Sequence, residues 1–270
     1  MDIKIRLETS EDYHTIEELT RDTFWTFWGE DLKICDEHLL VHKLRDVEAF
    51  VPELDFVAEI DGKLVGHIIY TRSQIESEDG EKHEMLTFGP LSVLPEYQNR
   101  GIGRKLMMHS FDKAKEMGFK AVFIYGHPDY YPRVGFKRGA DFGLTDFEGN
   151  SYDALMVYIL YEGALNGIRG KCCIDPVYFE LSEEETFEFD KRFPPKKPHV
   201  ITPLDILTKR LEVNSPEAAK SISKLDFKAL DVMKSRSQRE IASLPGVDFK
   251  ALETIRTVMK EHNFPWGESK

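Results

Sequence analysis

Long apolar runs are missing from this 270-residue chain. Nowhere do the ~18 consecutive apolar residues of a bilayer-spanning helix occur, so no membrane is expected as a partner. The opening stretch MDIKIRLETSED lacks the apolar core of a secretory leader, and the expected location is the cytoplasm. Cysteine is scarce and odd in number: Cys35, Cys172 and Cys173. That set is no disulfide framework and suits a reducing compartment. His and Cys never fall at zinc-ligand spacing, so no metal is expected. Positive charge is short as well, 36 Lys and Arg against 48 Asp and Glu, for a net charge of −12. An acidic field repels nucleic-acid phosphates and favours cationic partners such as amines. The acid excess lies in residues 1–199, because residues 200–270 hold 12 basic and 10 acidic residues.

What is present is core material. Eighteen Phe, ten Tyr and three Trp, within 41% hydrophobic residues, support a large folded domain. Alternation of Ile3, Ile5 and Leu7 predicts a strand over 2–7, and Ser10 is a candidate N-cap for a helix over 11–24. A second helix is expected over 36–47. Strands over 56–60 and 64–71 flank Asp61–Gly62, a hairpin turn pair, and a third strand runs over 84–94. Ile102, Leu106, Phe111 and Ala114 repeat at helical spacing over 101–117, Gly118 stops that helix, and strands follow at 121–125 and 154–161. Helices set among antiparallel hairpins predict an α/β (α+β) domain with a mixed, mostly antiparallel sheet. That domain is expected over 1–165. An extension and a Pro/Lys linker follow over 166–199, then a helical region over 200–270. In this last region Leu225–Leu230 (LDFKAL) returns as Val247–Leu252 (VDFKAL).

The chemistry concentrates in Leu91–Leu106, LSVLPEYQNRGIGRKL. A strand runs into a Pro-led turn, and then Gln98-x-x-Gly101-x-Gly103 opens a helix. Glycine at 101 and 103 lets a bulky anion approach the backbone, where the first-turn N–H groups and the helix dipole await it. Arg100 and Arg104 add positive charge, so the expected ligand group is a pyrophosphate. The plain alternative is a tight turn. The chain has no G-x-x-x-x-G-K-[ST] loop and no third glycine of a dinucleotide fold.

This segment resembles the Q/R-x-x-G-x-G/A motif of the GNAT superfamily of acetyl-CoA-dependent N-acyltransferases. Gly126–Phe136, GHPDYYPRVGF, resembles that family's Y-x-x-x-G-F signature, and the likeness extends over about residues 1–162. The resemblance implies acetyl-CoA as acyl-donor co-substrate. It also implies a thioester lying at a splayed gap between the fourth and fifth strands, and direct attack by an amine. Leu91, Ser92 and Val93 would lie along the pantetheine arm, held by backbone groups. Gln98, Asn99, Arg100, Gly101, Ile102, Gly103 and Arg104 would wrap the pyrophosphate. Tyr131 falls at the family's general-acid position, with packing against the arm as its alternative role. Tyr130 beside it reads as core. Glu84 is the candidate base, otherwise a solvated strand residue, and His127 is a second candidate. His67 and His83 carry no distinguishing context. Trp25, Phe27 and Trp28, with Glu30 and Asp31, could wall an acceptor site, or form core. The acceptor is expected to be an amine of a small molecule or a protein, and the fold commonly pairs as a homodimer.

Ile241–Ile255 faintly resembles a helix-hairpin-helix DNA element, but Asp248 replaces its second glycine and would repel a phosphate. A packing or dimerisation appendage is the preferred reading, and nucleic acid is not an expected partner. The rival to an enzyme is a degenerate acetyl-CoA-binding sensor or interaction module.

Overall fold

The computed structural model describes residues 2–25, 35–126, 130–196, 207–208, 210–212, 215–223 and 241–261. The chain forms two compact units, one of residues 1–25 and 34–196, the other of residues 26–33 and 197–270. In the first unit, strand β1 (Lys4–Leu7) leads to helices α1 (Tyr13–Phe24) and α2 (Glu37–Leu44). Strands β2 (Phe56–Ile60), β3 (Lys63–Glu76) and β4 (Lys82–Val93) follow, then helix α3 (Ile102–Glu116) and β5 (Ala121–Tyr125). The unit closes with β6 (Lys137–Arg138), β7 (Leu144–Thr145), β8 (Leu155–Ile159), β9 (Gly170–Cys173) and helix α4 (Glu183–Asp190). The strands join in the order β1-β2-β3-β4-β5-β8-β6, with β9 paired to β3 and β7. Among the described residues only β4–β5 and β7–β9 run parallel.

The sheet has two packed faces. On one, Gly66 meets Ile102 and Leu106 of α3, Tyr70 hydrogen-bonds Ser110, and Phe88, Phe111 and Phe136 share the core. On the other, Ser92 donates to Thr20 of α1, and Phe123 packs with Met85, Leu144 and Leu155. Asp61 and Gly62 take φ of 51° and 80°, the left-handed pair that a two-residue hairpin needs.

Some local expectations are replaced. Ser10 does not cap α1: Asp12 holds the N-cap position, and its carboxylate accepts from Thr9 N and from Arg6 at 2.6 and 2.9 Å. Strand β3 continues to Glu76 because β4 and β9 pair with its far half. Residues 166–196, read as extension and linker, contribute β9 and α4 to the first unit. Arg21 of α1 fixes that segment, with two bonds to Asp190 (2.6 and 3.0 Å) and one to the Pro194 carbonyl (3.0 Å).

The second unit contains α5 (Pro216–Ser223) and α6 (Phe249–Glu261). Ala218, Ile222, Ile241, Ala251 and Ile255 form its core. Asp248 accepts from Ala251 N at 2.8 Å and so caps the start of α6. Among the described residues no helix is long and apolar enough to cross a membrane.

Candidate active site

Strands β4 and β5 are registered at one pair, Leu86 and Val122. Beyond it the Phe123 carbonyl accepts a bond from the Thr87 hydroxyl (2.8 Å) in place of a ladder partner. Three residues past the pairing point, Gly89 and Tyr125 fall in register with each other but are unpaired. Strand β4 bulges there against β3, since Tyr70 faces Phe88 while Ile68 faces Leu91. A gap therefore opens between two parallel strands at their C-terminal ends, where open sheets of this kind take ligands.

Past the gap, β4 ends in a Pro-led 3-10 turn, Pro95–Tyr97. Gln98 Nε2 donates back to the Val93 carbonyl (3.1 Å) and braces the loop. Asn99 and Gly101 take φ of 59° and 79°, and Gly101 is the N-cap of α3. No side chain caps that end, so the first-turn N–H groups of Ile102, Gly103 and Arg104 are orphan donors. A Cβ on Gly101 would meet nothing within 4 Å. Beside this turn lies a depression of about 460 Å³ lined by Ile5, Gly101, Arg104, Lys105 and Met108. Side chains of Leu91 and Val93 stand 3.5 and 3.7 Å from a Cβ built on Gly103, on the α3 face. Ser92 points the other way, fully buried against α1, so its side chain has no access to the gap.

Tyr131 starts the 3-10 turn Tyr131–Val134 and enters the gap on the α3 face. Its ring lies 6.1 Å from Phe88 of β4 and 5.3 Å from Phe136. Against β5 the fit is closer, because a Cβ on Gly126 would stand 2.4 Å from its Cε2. Burial first, and then Tyr130, raise its hydroxyl pKa to about 12. Tyr130 is exposed rather than core. Its hydroxyl lies 3.5 Å from a Cβ built on Gly103, and Arg104 lowers its pKa against the larger effect of burial.

Glu84 requires a correction. Its side chain is 59% exposed and paired with Arg72 at 2.9 Å. It precedes the Leu86–Val122 pairing point, whereas the gap opens after it. Four residues of extended strand separate it from Phe88, about 13 Å. The structure does not bring it together with Tyr131. His127, Phe27, Trp28, Glu30 and Asp31 lie outside the described residues. Trp25 is described, and stacks under the Arg21 guanidinium at 4.2 Å.

His67 has more context than its sequence position suggested. With Glu8 and Asp55 it forms a buried group whose ligand-type atoms all lie within 4.8 Å of one another. His67 Nε2 is 2.7 Å from Asp55, and burial lowers its pKa to about 4. Burial likewise raises Glu8 to about 7 and Asp55 to about 6. Arg45 already bonds both Glu8 oxygens, at 2.7 and 3.0 Å, so a cation stands where a metal would have to enter.

A mixed sheet split between its fourth and fifth strands, with an uncapped helix start beyond the split, is the arrangement of the N-acetyltransferase fold. The model of the acetyltransferase (GNAT) family matches residues 17–138, and the chain belongs to that family. Among its relatives is YhbS, an uncharacterized N-acetyltransferase of Escherichia coli K12, 30% identical over 167 residues. That alignment covers 62% of this chain and 92% of YhbS. YjhQ, another uncharacterized N-acetyltransferase of the same strain, is 40% identical over 98 residues, 36% of this chain and 54% of its own length. This chain thus spans about half of YjhQ. The crystal structure of E. coli YhbS in complex with CoA superposes with a TM-score of 0.58 at 28% identity, covering 67% of this chain and 93% of that one. A GNAT acetyltransferase from Brucella melitensis, solved with acetyl-CoA, shares the fold at TM-score 0.50 and 24% identity, over 66% and 98% of the two chains.

Proposed function

We propose that this chain moves an acetyl group from acetyl-CoA to a primary amine of a small molecule or a protein, by direct attack on the thioester, in the cytoplasm. One observation carries the reading: Tyr131 is seated in the β4–β5 gap, with an uncapped, arginine-flanked helix start just beyond it. Relatives solved with CoA and acetyl-CoA support the donor. The pyrophosphate lies on the N–H groups of Ile102, Gly103 and Arg104, with Asn99 and Gly101 shaping the turn and Arg100 and Arg104 adding charge. Pantetheine runs along the backbone of Leu91, Ser92 and Val93 into the gap.

The amine attacks the thioester carbonyl, forming a C–N bond and a tetrahedral intermediate. That intermediate collapses by breaking the C–S bond, and coenzyme A leaves. An amine of pKa near ~10.4 gives up its proton at pH 7 at a cost of about 4–5 kcal/mol. With Glu84 in a surface ion pair, the amine loses that proton to solvent. Tyr131 faces the departing sulfur. Full transfer from a hydroxyl of pKa about 12 to a free thiolate is uphill. Against a thiol pKa near ~8.5 the cost is roughly 5 kcal/mol. Tyr131 therefore acts first as a hydrogen-bond donor to the negative charge growing on sulfur, and a second proton, shed by nitrogen as the tetrahedral intermediate collapses, neutralises the thiolate.

The test is release of free thiol from acetyl-CoA with a panel of amines, run beside a coenzyme A binding measurement. Amine-dependent thiol release is expected. Tight coenzyme A binding without turnover of any amine would leave a cofactor-binding module and overturn the enzymatic reading.

A further inference from the structure

The gap has a second face, turned away from Tyr131, and aromatic side chains surround it there. Tyr125 stands on β5 three residues beyond the Val122 pairing point and shares its face with Phe123. Across the gap is Gly89 of β4, where a built Cβ would lie 3.9 Å from the Tyr178 ring. Tyr178 belongs to the 3-10 turn Pro176–Tyr178 and bonds Thr71 of β3 through its hydroxyl (3.2 Å). Its neighbour Phe179 pairs with Phe147 at 5.9 Å between ring centres. The series Gly89, Tyr178, Phe179, Phe147 thus leads outward from one lip of the gap, and Tyr125 marks the other lip on the same face. Phe179 and Phe147 are 61% and 52% exposed, unusual for Phe without a partner. All these residues except Gly89 and Tyr125 lie outside the family-matched segment 17–138.

We infer that this aromatic arc is the acceptor subsite, and that it selects a primary amine carried on an apolar body. The inference rests on the acetyl-transfer reading above, since that reading brings an amine to this gap. An ammonium group is attracted to aromatic faces. Exposed Phe rings gain by covering apolar surface and gain nothing from hydroxyl-rich or multiply charged scaffolds. The acidic chain further favours a cation.

The experiment compares phenethylamine with ethanolamine as acceptors in the intact chain, then in Phe147→Ser, Phe179→Ser and the double variant. The unaltered protein is expected to prefer phenethylamine in kcat/KM, and the double variant to lower that preference by about tenfold. Equal use of the two amines, or a preference untouched by the double variant, would overturn the arc as acceptor subsite. Calorimetric titration of phenethylamine into the coenzyme A complex separates the two readings. Binding weakened in the double variant, with no turnover, would sustain the arc and sink acetyl transfer. Turnover of amines with no phenethylamine binding would do the reverse.

Discussion

A methyl group on Gly126 would stand 2.4 Å from Cε2 and 2.5 Å from Cδ2 of Tyr131, closer than any real contact. The backbone at the end of β5 is thus the seat of the Tyr131 ring. Gly126→Ala must push that ring off its place between Phe88 and Gly126. Turnover is expected to fall roughly tenfold or more, since small misplacements of a reacting group are costly. Tyr131→Phe keeps the ring and removes the donor, with a loss of ~100-fold in kcat. Coenzyme A affinity should stay near its original value in both. Unchanged kcat in Tyr131→Phe would remove its role.

The pH profile follows from the direction of the Tyr131 shift. Its pKa is raised, to about 12, so the hydroxyl keeps its proton throughout the assay range. The neutral amine instead becomes about tenfold more abundant per pH unit below its own pKa near ~10.4. Between pH 6.5 and 9, kcat/KM for the amine should therefore climb with unit slope, without a descending limb. Tyr131→Phe should lower the line evenly and leave its slope alone. A plateau near pH 7 would point to a protein base instead.

Gly101 and Gly103 serve different ends. Gly101 needs its left-handed φ of 79°, and Gly101→Ala should cost stability of about 1 kcal/mol. Gly103 is helical, and a Cβ there meets ordinary neighbours at 3.5 Å. Gly103→Glu therefore folds but sets a carboxylate at the pyrophosphate position. Coenzyme A affinity is expected to drop by ~100-fold or more with the melting temperature little changed. A folded variant that still bound coenzyme A would contradict the loop assignment.

Glu84→Gln gives the opposite forecast to the one its sequence position suggested. The Arg72–Glu84 pair is exposed on both sides, and such pairs are worth about 0–1 kcal/mol. Both kcat and the melting temperature should stay within experimental scatter. A 100-fold loss of kcat would restore Glu84 as a base.

The parts legible in the sequence were those written locally. The helix over 102–116 follows from a 3.6-residue period, the Asp61–Gly62 turn from two residues that tolerate positive φ, and the loop from glycines at fixed spacing. The parts that were not legible depend on pairs distant in the chain. Glu84 reads as a strand carboxylate, and only the register with Val122 shows that the gap opens beyond it. Tyr130 and Tyr131 are adjacent aromatics, so core and mouth could not be told apart without α3 and Gly126 in place. Residues 166–196 read as an extension and the start of a Pro/Lys linker because their anchor, Arg21, lies about 170 residues earlier. For Tyr125, Phe147 and Phe179, exposure is the informative property, and a sequence does not display it.

That anchor is testable by itself. Arg21 is fully buried, bonded to both Asp190 oxygens and the Pro194 carbonyl, and sandwiched between the Trp25 and Phe193 rings. Removing one partner of such a pair leaves the other charge without compensation, which costs about 3–5 kcal/mol. In Arg21→Ala the segment Glu183–Asp190 should come loose before the sheet does. Amide exchange in α4 should then accelerate by ~100-fold, the equivalent of nearly 3 kcal/mol of local opening. The pair itself is not the source of net stability, because desolvating two charges offsets most of their attraction. The double replacement Arg21→Met with Asp190→Leu should therefore recover most of the protection that Arg21→Ala loses. Equal acceleration in both variants would show that the guanidinium stacking and its bond to Pro194, rather than the charge pair, hold α4 against α1.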